Sequence, residues 1–145
     1  VITYITEVIG VKTGYLFGNY IYGDTLGFKI LGVPLIISFN WILVLLGSVS
    51  LAKLIVPRLF VIPVTIFFAV LFDVVMEPVA IAFNYWKWQG GGIPLFNYVT
   101  WGSIAGVFAV FYELLRFDED KAVPAFYYVI QLIFFIAMLI YIQFL

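Results

Sequence analysis

Long apolar runs separated by short polar or glycine-rich breaks dominate the chain. Residues 33–52 carry no charge, and twenty helical residues at about 1.5 Å each match the roughly 30 Å hydrocarbon core of a bilayer. The runs lack the alternation of apolar and polar residues that a membrane β-barrel needs. The pattern therefore predicts an all-α fold, a polytopic transmembrane helix bundle with about four full spans and the tail of an earlier helix. The predicted spans are residues 33–52, 59–83, 98–115 and 122–145, and the tail is residues 1–9.

The sequence predicts a single integral-membrane helical domain that covers residues 1–145. No fixed-period repeat, low-complexity tract or second domain interrupts the helical pattern. The first residue is Val1, inside an apolar stretch with no charged region before it. We therefore expect a fragment that lacks N-terminal helices of a longer protein.

The predicted connections alternate between two membrane faces. Residues 10–32 and 84–97 share one face, and the shorter connections 53–58 and 116–121 share the other. The shorter pair holds one more Lys or Arg, which favours a cytoplasmic location for it. Segment 10–32 contains six glycines and several aromatic residues, so we expect a re-entrant or surface-lying segment packed on the bundle. Aromatic residues of the second long connection, Tyr85, Trp86 and Trp88, fit the membrane–water belt.

Composition agrees with a membrane protein and removes several kinds of chemistry. Hydrophobic residues make up 66% of the chain, charged residues 10%, and the mean hydropathy is +1.18. The formal charge of −1, without a basic run, gives no reason to expect a nucleic-acid partner. The absence of His and Cys excludes imidazole or thiolate zinc sites, iron–sulfur clusters and His-based triads. The few scattered acids are too sparse for a dedicated metal cage, so no metal is expected.

Any acid–base catalysis must therefore use carboxyl groups, Tyr or Lys. Asp73 and Glu77 are four residues apart, which places both on one helical face inside an apolar span. Pro78 follows and removes the backbone bond to the Val74 carbonyl, which predicts a kink beside the acids. Intramembrane acids are costly and commonly functional, although two acids could also cap a helix end or bind neighbouring Lys and Arg.

Several polar and aromatic residues are predicted to lie at similar depth below one membrane surface. Counted along the helices, they lie roughly 5–15 Å deep and could converge on one pocket: Glu7, Asn40, Trp41, Asp73, Glu77, Asn97, Tyr98 and Trp101. Glu113 lies near the opposite surface, where it can pair with Arg116 or extend to water, so a structural role is expected. Gly102 and Gly106 form a small-xxx-small pair that we expect to pack inside the bundle.

Five stretches in this order give the chain a family resemblance. They are residues 7–34, the Asn40–Trp41 pair, DVVMEP at 73–78, NYWKW at 84–88 and IPLFNYVTW at 93–101, and they are spread across about two-thirds of the chain. The chain resembles the carotenoid biosynthesis protein family, the CruF-type membrane hydratases. The resemblance implies addition of water to the terminal C=C of an acyclic, lycopene-like carotenoid, with no redox cofactor. It also implies a multi-pass location in the cytoplasmic membrane of a prokaryote, among membrane lipid and other carotenoid-pathway enzymes.

The residues themselves suit that chemistry. Protonating an alkene needs an acid that keeps its proton, and burial in lipid disfavours the charged form of a carboxyl group. We assign proton donation to Asp73 or Glu77, and orientation of the attacking water to Glu7. The expected substrate-binding residues are Asn40, Trp41, Asn84, Tyr85, Asn97 and Trp101, of which the aromatic members could stabilise a tertiary cation.

Two alternatives remain open on the sequence. A carotenoid end-group cyclase would begin with the same protonation but quench the cation on a neighbouring double bond. A non-enzymatic proton-relay or lipid-binding membrane subunit would use Asp73 and Glu77 to pass protons. A prenyltransferase is disfavoured, because the chain lacks an aspartate-rich site for Mg²⁺ and diphosphate.

Overall fold

The structure, a computed structural model, describes residues 2–115 and 120–144, and most of these residues are helical. Five α-helices and four short strands occur in these ranges. Their order is α1 (Ile2–Thr13), β1 (Tyr20–Tyr22), β2 (Lys29–Ile30), β3 (Val33–Pro34), α2 (Leu35–Ile55), α3 (Val61–Ala82), β4 (Trp86–Trp88), α4 (Leu95–Leu115) and α5 (Ala122–Tyr141). The prediction of an all-α bundle is confirmed. Val1 and Leu145, at the ends of the predicted first and last segments, lie outside the described residues.

Four helices are long and apolar enough to cross a membrane. They are α2, α3 with the 3-10 turn before it, α4, and α5 with the 3-10 turn after it, at 21, 25, 21 and 23 residues. These are the four predicted spans. The third begins at Leu95, three residues earlier than predicted, because Pro94 ends the preceding loop and its carbonyl accepts the Asn97 N–H. Asn97 therefore lies in the first turn of α4.

The helices approach closely where side chains are absent. α2 packs against α3 and α5, and α3 also packs against α4. A Cβ atom at Gly47 would lie 2.5 Å from Cβ of Tyr128, so this glycine lets α2 and α5 meet backbone to backbone. A Cβ atom at Gly106 would lie 3.1 Å from Cδ1 of Ile66, and Gly102 faces the same residue. The expected packing of this glycine pair inside the bundle is confirmed.

The outward faces of the bundle are apolar. Large side chains such as Phe67, Phe111 and Phe126 are more than half exposed. A water-soluble domain rarely exposes so continuous an apolar surface, whereas lipid solvates it without cost. The bundle therefore has the surface of a protein that sits in a bilayer.

One end of the bundle carries an ion-paired cluster. Lys53 Nζ lies 2.6 Å from Glu113 Oε1, and Arg58 Nε lies 3.1 Å from Glu113 Oε2. Lys53 also lies 5.0 Å from the centre of the Tyr112 ring. The expected partner, Arg116, lies outside the described residues, as do Asp118 and Glu119 of the same loop. Glu113 is thus bound to Lys53 of the last turn of α2 and to Arg58 of the α2–α3 connection, in agreement with a structural role.

The other end is closed by the two long connections. β1 pairs with β4 as an antiparallel ribbon in the register Tyr20–Trp88, Ile21–Lys87 and Tyr22–Trp86, and β2 pairs with β3. Phe17, Tyr20 and Tyr22 are buried, so segment 10–32 packs on the bundle as expected. The short strands themselves were not predicted. We call the β1–β4 pair the capping ribbon.

Candidate active site

Asp73 and Glu77 form the centre of a buried carboxyl cluster. α3 presents them one turn apart on its inner face, and their exposed fractions are 1% and 2%. Pro78 lies inside α3 directly after Glu77, so the Val74 carbonyl receives no bond from the residue-78 nitrogen. The spacing that the sequence shows therefore places two acids side by side in the interior.

One amide group joins the two acids. Asn97 Nδ2, from the first turn of α4, donates to Asp73 Oδ2 at 2.8 Å and to Glu77 Oε1 at 3.3 Å. An amide NH₂ has two N–H bonds, so a single side chain can serve both carboxyl groups. Asn97 thus fixes the separation of the pair across the α3–α4 contact.

The second oxygen of Glu77 binds two tryptophans. The indole Nε1 atoms of Trp86 and Trp88 each donate to Glu77 Oε2 at 3.0 Å. The two rings lie two residues apart on β4, which places both on the same side of the strand. The interfacial belt position predicted for Trp86 is wrong, since its ring is 5% exposed and points inward.

Glu7 is held by two tyrosines of β1. The hydroxyl groups of Tyr20 and Tyr22 donate to Glu7 Oε2 at 2.6 Å and 2.7 Å. Burial and the neighbouring Glu7 carboxyl group raise the pKa of both tyrosines above the ordinary tyrosine value, so they remain protonated at neutral pH. Glu7 itself is 2% exposed.

One oxygen of the cluster has no partner. Asp73 Oδ1 is buried and receives no hydrogen bond within the described residues. A buried carboxylate oxygen without a donor is unfavourable, whereas the O–H of a protonated carboxyl group placed there is available to a bound molecule. Asp73 therefore differs from Glu7 and Glu77, each of which has an oxygen that accepts two hydrogen bonds.

No Lys or Arg of the described residues forms an ion pair with the cluster. The ion pairs formed by Lys and Arg within residues 2–115 and 120–144 go to Asp24 and Glu113 instead. Three buried carboxyl groups cannot all ionise together in a low-dielectric site without a counter-charge. The cluster must therefore hold at least one proton at neutral pH. The same ranges contain no group of three acids placed to hold a metal ion.

Aromatic rings form the opposite wall of the site. Trp41 and Trp101 stack with ring centres 3.4 Å apart, and Phe17 stacks on Trp101 at 5.0 Å. The faces of such rings carry negative potential and attract cations. A carbocation formed beside them would be stabilised without a charged counter-ion.

The acids and rings enclose a cavity of about 20 Å³, close to the volume of one water-sized sphere. The cavity holds about one water molecule, so a larger ligand would fit only if the aromatic rings moved apart. Its lining residues are Glu7, Phe17, Tyr20, Tyr22, Ile37, Trp41, Asp73, Met76, Glu77, Trp86, Trp88, Asn97 and Trp101. Six of the nine predicted site residues are among them: Glu7, Trp41, Asp73, Glu77, Asn97 and Trp101.

Three predicted site residues lie elsewhere. Asn40 accepts a hydrogen bond from Gln131 between α2 and α5, so its position on α2 turns it away from the cavity. Tyr85 is half-buried beside the rings of Phe83 and Trp86. The structure places neither side chain in contact with the carboxyl cluster.

Asn84, the third, is exposed and ends α3. Its φ of 55° is left-handed, and the N–H groups of Asn84 and Tyr85 donate to the carbonyls of Ile81 and Ala80. This is the Schellman arrangement that commonly terminates helices, and Asn is one of the few residues that tolerate it. Asn84 therefore directs the chain from α3 into β4 rather than contributing a side chain to the site.

Four ribbon residues, Tyr20, Tyr22, Trp86 and Trp88, were not predicted as site residues. The missed signal is the spacing in YIY at 20–22 and WKW at 86–88, where two large donors flank one residue of different character. In a strand this spacing places both donors on one side. This alternation was missed because no strands were considered in these segments.

Comparison with known proteins gives a family and one relative. The family model described as carotenoid biosynthesis protein matches residues 1–145. A bisanhydrobacterioruberin hydratase from Haloarcula japonica is 32% identical over 134 residues. That match covers 83% of this chain but 43% of the relative, so the chain spans less than half of the relative's length. No solved structure matches the chain significantly.

Proposed function

We propose that this chain, a member of the carotenoid biosynthesis protein family, adds water to the terminal double bond of an acyclic carotenoid end group. The product is a tertiary alcohol. The observation that carries the proposal is the buried cluster of three carboxyl groups, which has no cation and faces stacked aromatic rings. The hydratase name of the distant relative supports the same reaction class.

Asp73 is the proposed proton donor. Its unpartnered Oδ1 can carry the acid proton into the cavity, whereas both oxygens of Glu77 already accept hydrogen bonds. Transfer of that proton to the less substituted alkene carbon forms the new C–H bond and leaves a tertiary cation. Once the stacked rings separate to admit the end group, the negative faces of Trp41 and Trp101 and the carboxylate of Glu77 would stabilise this cation.

Water capture completes the addition. A water molecule in the cavity, oriented by Glu7, forms the C–O bond at the cationic carbon and passes its extra proton to the Glu7 carboxylate. Return of that proton to Asp73 restores the starting state, so the net change is addition of one H₂O with no oxidant or reductant. The roughly 20 Å³ cavity accommodates the water before the end group arrives.

The deciding experiment tests whether ¹⁸O from water is incorporated into the carotenoid product. The gene is expressed in a lycopene-producing host grown in H₂¹⁸O, and the extracted carotenoids are analysed by mass spectrometry. A hydratase gives a hydroxylated carotenoid whose oxygen comes from water. A ring-closed isomer with no added mass would identify a cyclase, an oxygen derived from O₂ would identify an oxidative enzyme, and an unchanged pigment would support a non-enzymatic subunit. Each of these three outcomes would overturn the hydratase proposal.

We expect turnover in isolated membranes to be unchanged by EDTA. The chain has no His or Cys, and the proposed acid chemistry assigns every proton transfer to carboxyl groups. The measurement compares initial rates before and after chelation and after addition of Mg²⁺, Mn²⁺ or Zn²⁺. Activity that is lost in EDTA and restored by one of these ions would contradict the proposed mechanism.

A further inference from the structure

All four hydrogen-bond donors of the capping ribbon that face the site bind acids. Alternate residues of each strand point inward, so Tyr20 and Tyr22 reach Glu7 while Trp86 and Trp88 reach Glu77. The central residues of the two strands pair with each other and are exposed on the outer side: Ile21 and Lys87. The ribbon thus has an inner face made only of donors to two carboxyl groups.

The ribbon is fixed to the end of α3, the helix that carries Glu77. Gly23 N donates to the Tyr85 carbonyl at 2.9 Å and Gln89 N to the Asn19 carbonyl at 2.8 Å, which extends the strand pairing at both ends. A Cβ atom at Gly23 would collide with the Asn84 carbonyl that ends α3. The donors therefore keep a set position relative to Glu77.

We infer that the capping ribbon determines the charge pattern of the site, that is, which of its carboxyl groups are ionised. In this inference Trp86 and Trp88 are positioning residues that hold Glu77 as a carboxylate. This assignment rests on the proposed function and deepens it. With Glu77 ionised, the acid proton is confined to Asp73. The ribbon thereby separates two chemically similar acids on one helix into a proton donor and an anion that faces the cation.

The hydrogen-bond partners of Glu77 present only N–H groups to it. An indole N–H only donates, and the Asn97 amide also presents its N–H bonds to Glu77. A proton on Oε2 of Glu77 would therefore compete with the two indole N–H groups, and a proton on Oε1 would compete with the Asn97 amide. Asp73 has one such donor and an unpartnered oxygen, so a proton on Asp73 costs less in lost hydrogen bonds.

The neighbouring titratable groups all oppose a charge on Glu77. Asp73 on the same helix, Glu7 on α1, Tyr20 on β1 and Tyr98 on α4 are acidic groups that interact electrostatically with it. No Lys or Arg pairs with Glu77 within residues 2–115 and 120–144. The indole donors are thus the groups that can sustain its ionised form, and their removal should favour protonation.

The first test measures the pH dependence of turnover in liposomes that contain lycopene. Trp86→Phe and Trp88→Phe each remove one donor, and each is expected to lower kcat roughly tenfold or more at neutral pH. The acidic limb of the pH profile should move to higher pH, so that raising the pH restores part of the rate. Ile21→Ala and Lys87→Ala, on the outer side of the same strands, are the matched controls and should leave the profile in place. An equal loss at every pH would overturn the inference.

The second test needs neither activity nor a tryptophan variant. The infrared C=O stretch of a protonated carboxyl group is recorded at neutral pH for the parent, Asp73→Asn and Glu77→Gln. The inference expects this signal to weaken in Asp73→Asn and to keep its strength in Glu77→Gln, with Glu7 as the third carboxyl group present in both variants. Loss of the signal in Glu77→Gln alone would overturn the inference even if hydration is observed. The expected signals without any hydrated product would uphold the charge pattern and reject the proposed function.

Discussion

Replacement of Asp73 by Asn is expected to lower the yield of hydrated carotenoid at least about a hundredfold, the lower range for removal of a general acid. Asn keeps the size of the side chain and can still accept the bond from Asn97, but it has no acidic proton. Glu77→Gln should cause a loss of similar size, because Gln has no negative charge and its single oxygen can accept from the two indoles or from Asn97 but not from both sides. Hydroxylated product is measured in pigment extracts and normalised to membrane protein.

Glu113→Gln is the matched control for these two variants. Glu113 lies 16 residues beyond Asn97 on α4, about 24 Å along the helix, and binds Lys53 and Arg58. Its amide variant should insert normally and retain product formation. Parental yields from both Asp73→Asn and Glu77→Gln would refute acid catalysis by this cluster, and loss only in Glu113→Gln would move the site to the opposite end.

A second large effect is expected from Trp101→Ala. Trp101 is 3% exposed and stacks against Trp41 on one side and Phe17 on the other, so truncation leaves a cavity between two rings. Loss of a buried Trp typically costs about 3–5 kcal/mol. We expect a lower thermal unfolding midpoint in detergent, followed by tryptophan fluorescence, and partial recovery when indole is added to fill the cavity.

Two variants separate this packing effect from a general loss of aromatic surface. Trp101→Phe keeps a ring in the stack and should recover most of the stability. Phe96→Ala removes a ring from the same helix at a position that is 54% exposed, so its midpoint should hardly move. An unchanged midpoint in Trp101→Ala would show that the stack does not stabilise the bundle.

The sequence could predict the spans because the requirement they satisfy is local. Each stretch of about twenty apolar residues must form its backbone hydrogen bonds internally when it lies in lipid, so composition and length suffice. The shared face of Asp73 and Glu77 follows from helical periodicity in the same way. The boundary of α4 was missed by three residues, since Leu95 and Phe96 gain helical structure from Pro94 rather than from any change in hydropathy.

The partners of the polar residues were not predictable from such local rules. Its expected depth in the membrane placed Asn40 in the predicted pocket. Its side chain instead points from α2 toward α5, where it accepts a hydrogen bond from Gln131, 91 residues away in the chain. Glu113 was expected beside a residue three positions on, yet it binds Lys53 from another helix. Depth fixes only one coordinate of a side chain, and the direction in which it points depends on which helices pack together.

Run length and helical periodicity were enough to predict a bundle of four long apolar helices with a pair of acids on one helix face. The tertiary structure decided the rest of the site, by bringing Glu7 and the capping ribbon to those acids. The four ribbon donors bind carboxyl groups 9 to 15 residues away in the chain, across turns whose course depends on Asn84 and on the pairing of β1 with β4. Hydropathy records the cost of burying a carboxyl group, whereas the geometry of the folded chain determines which donors offset that cost.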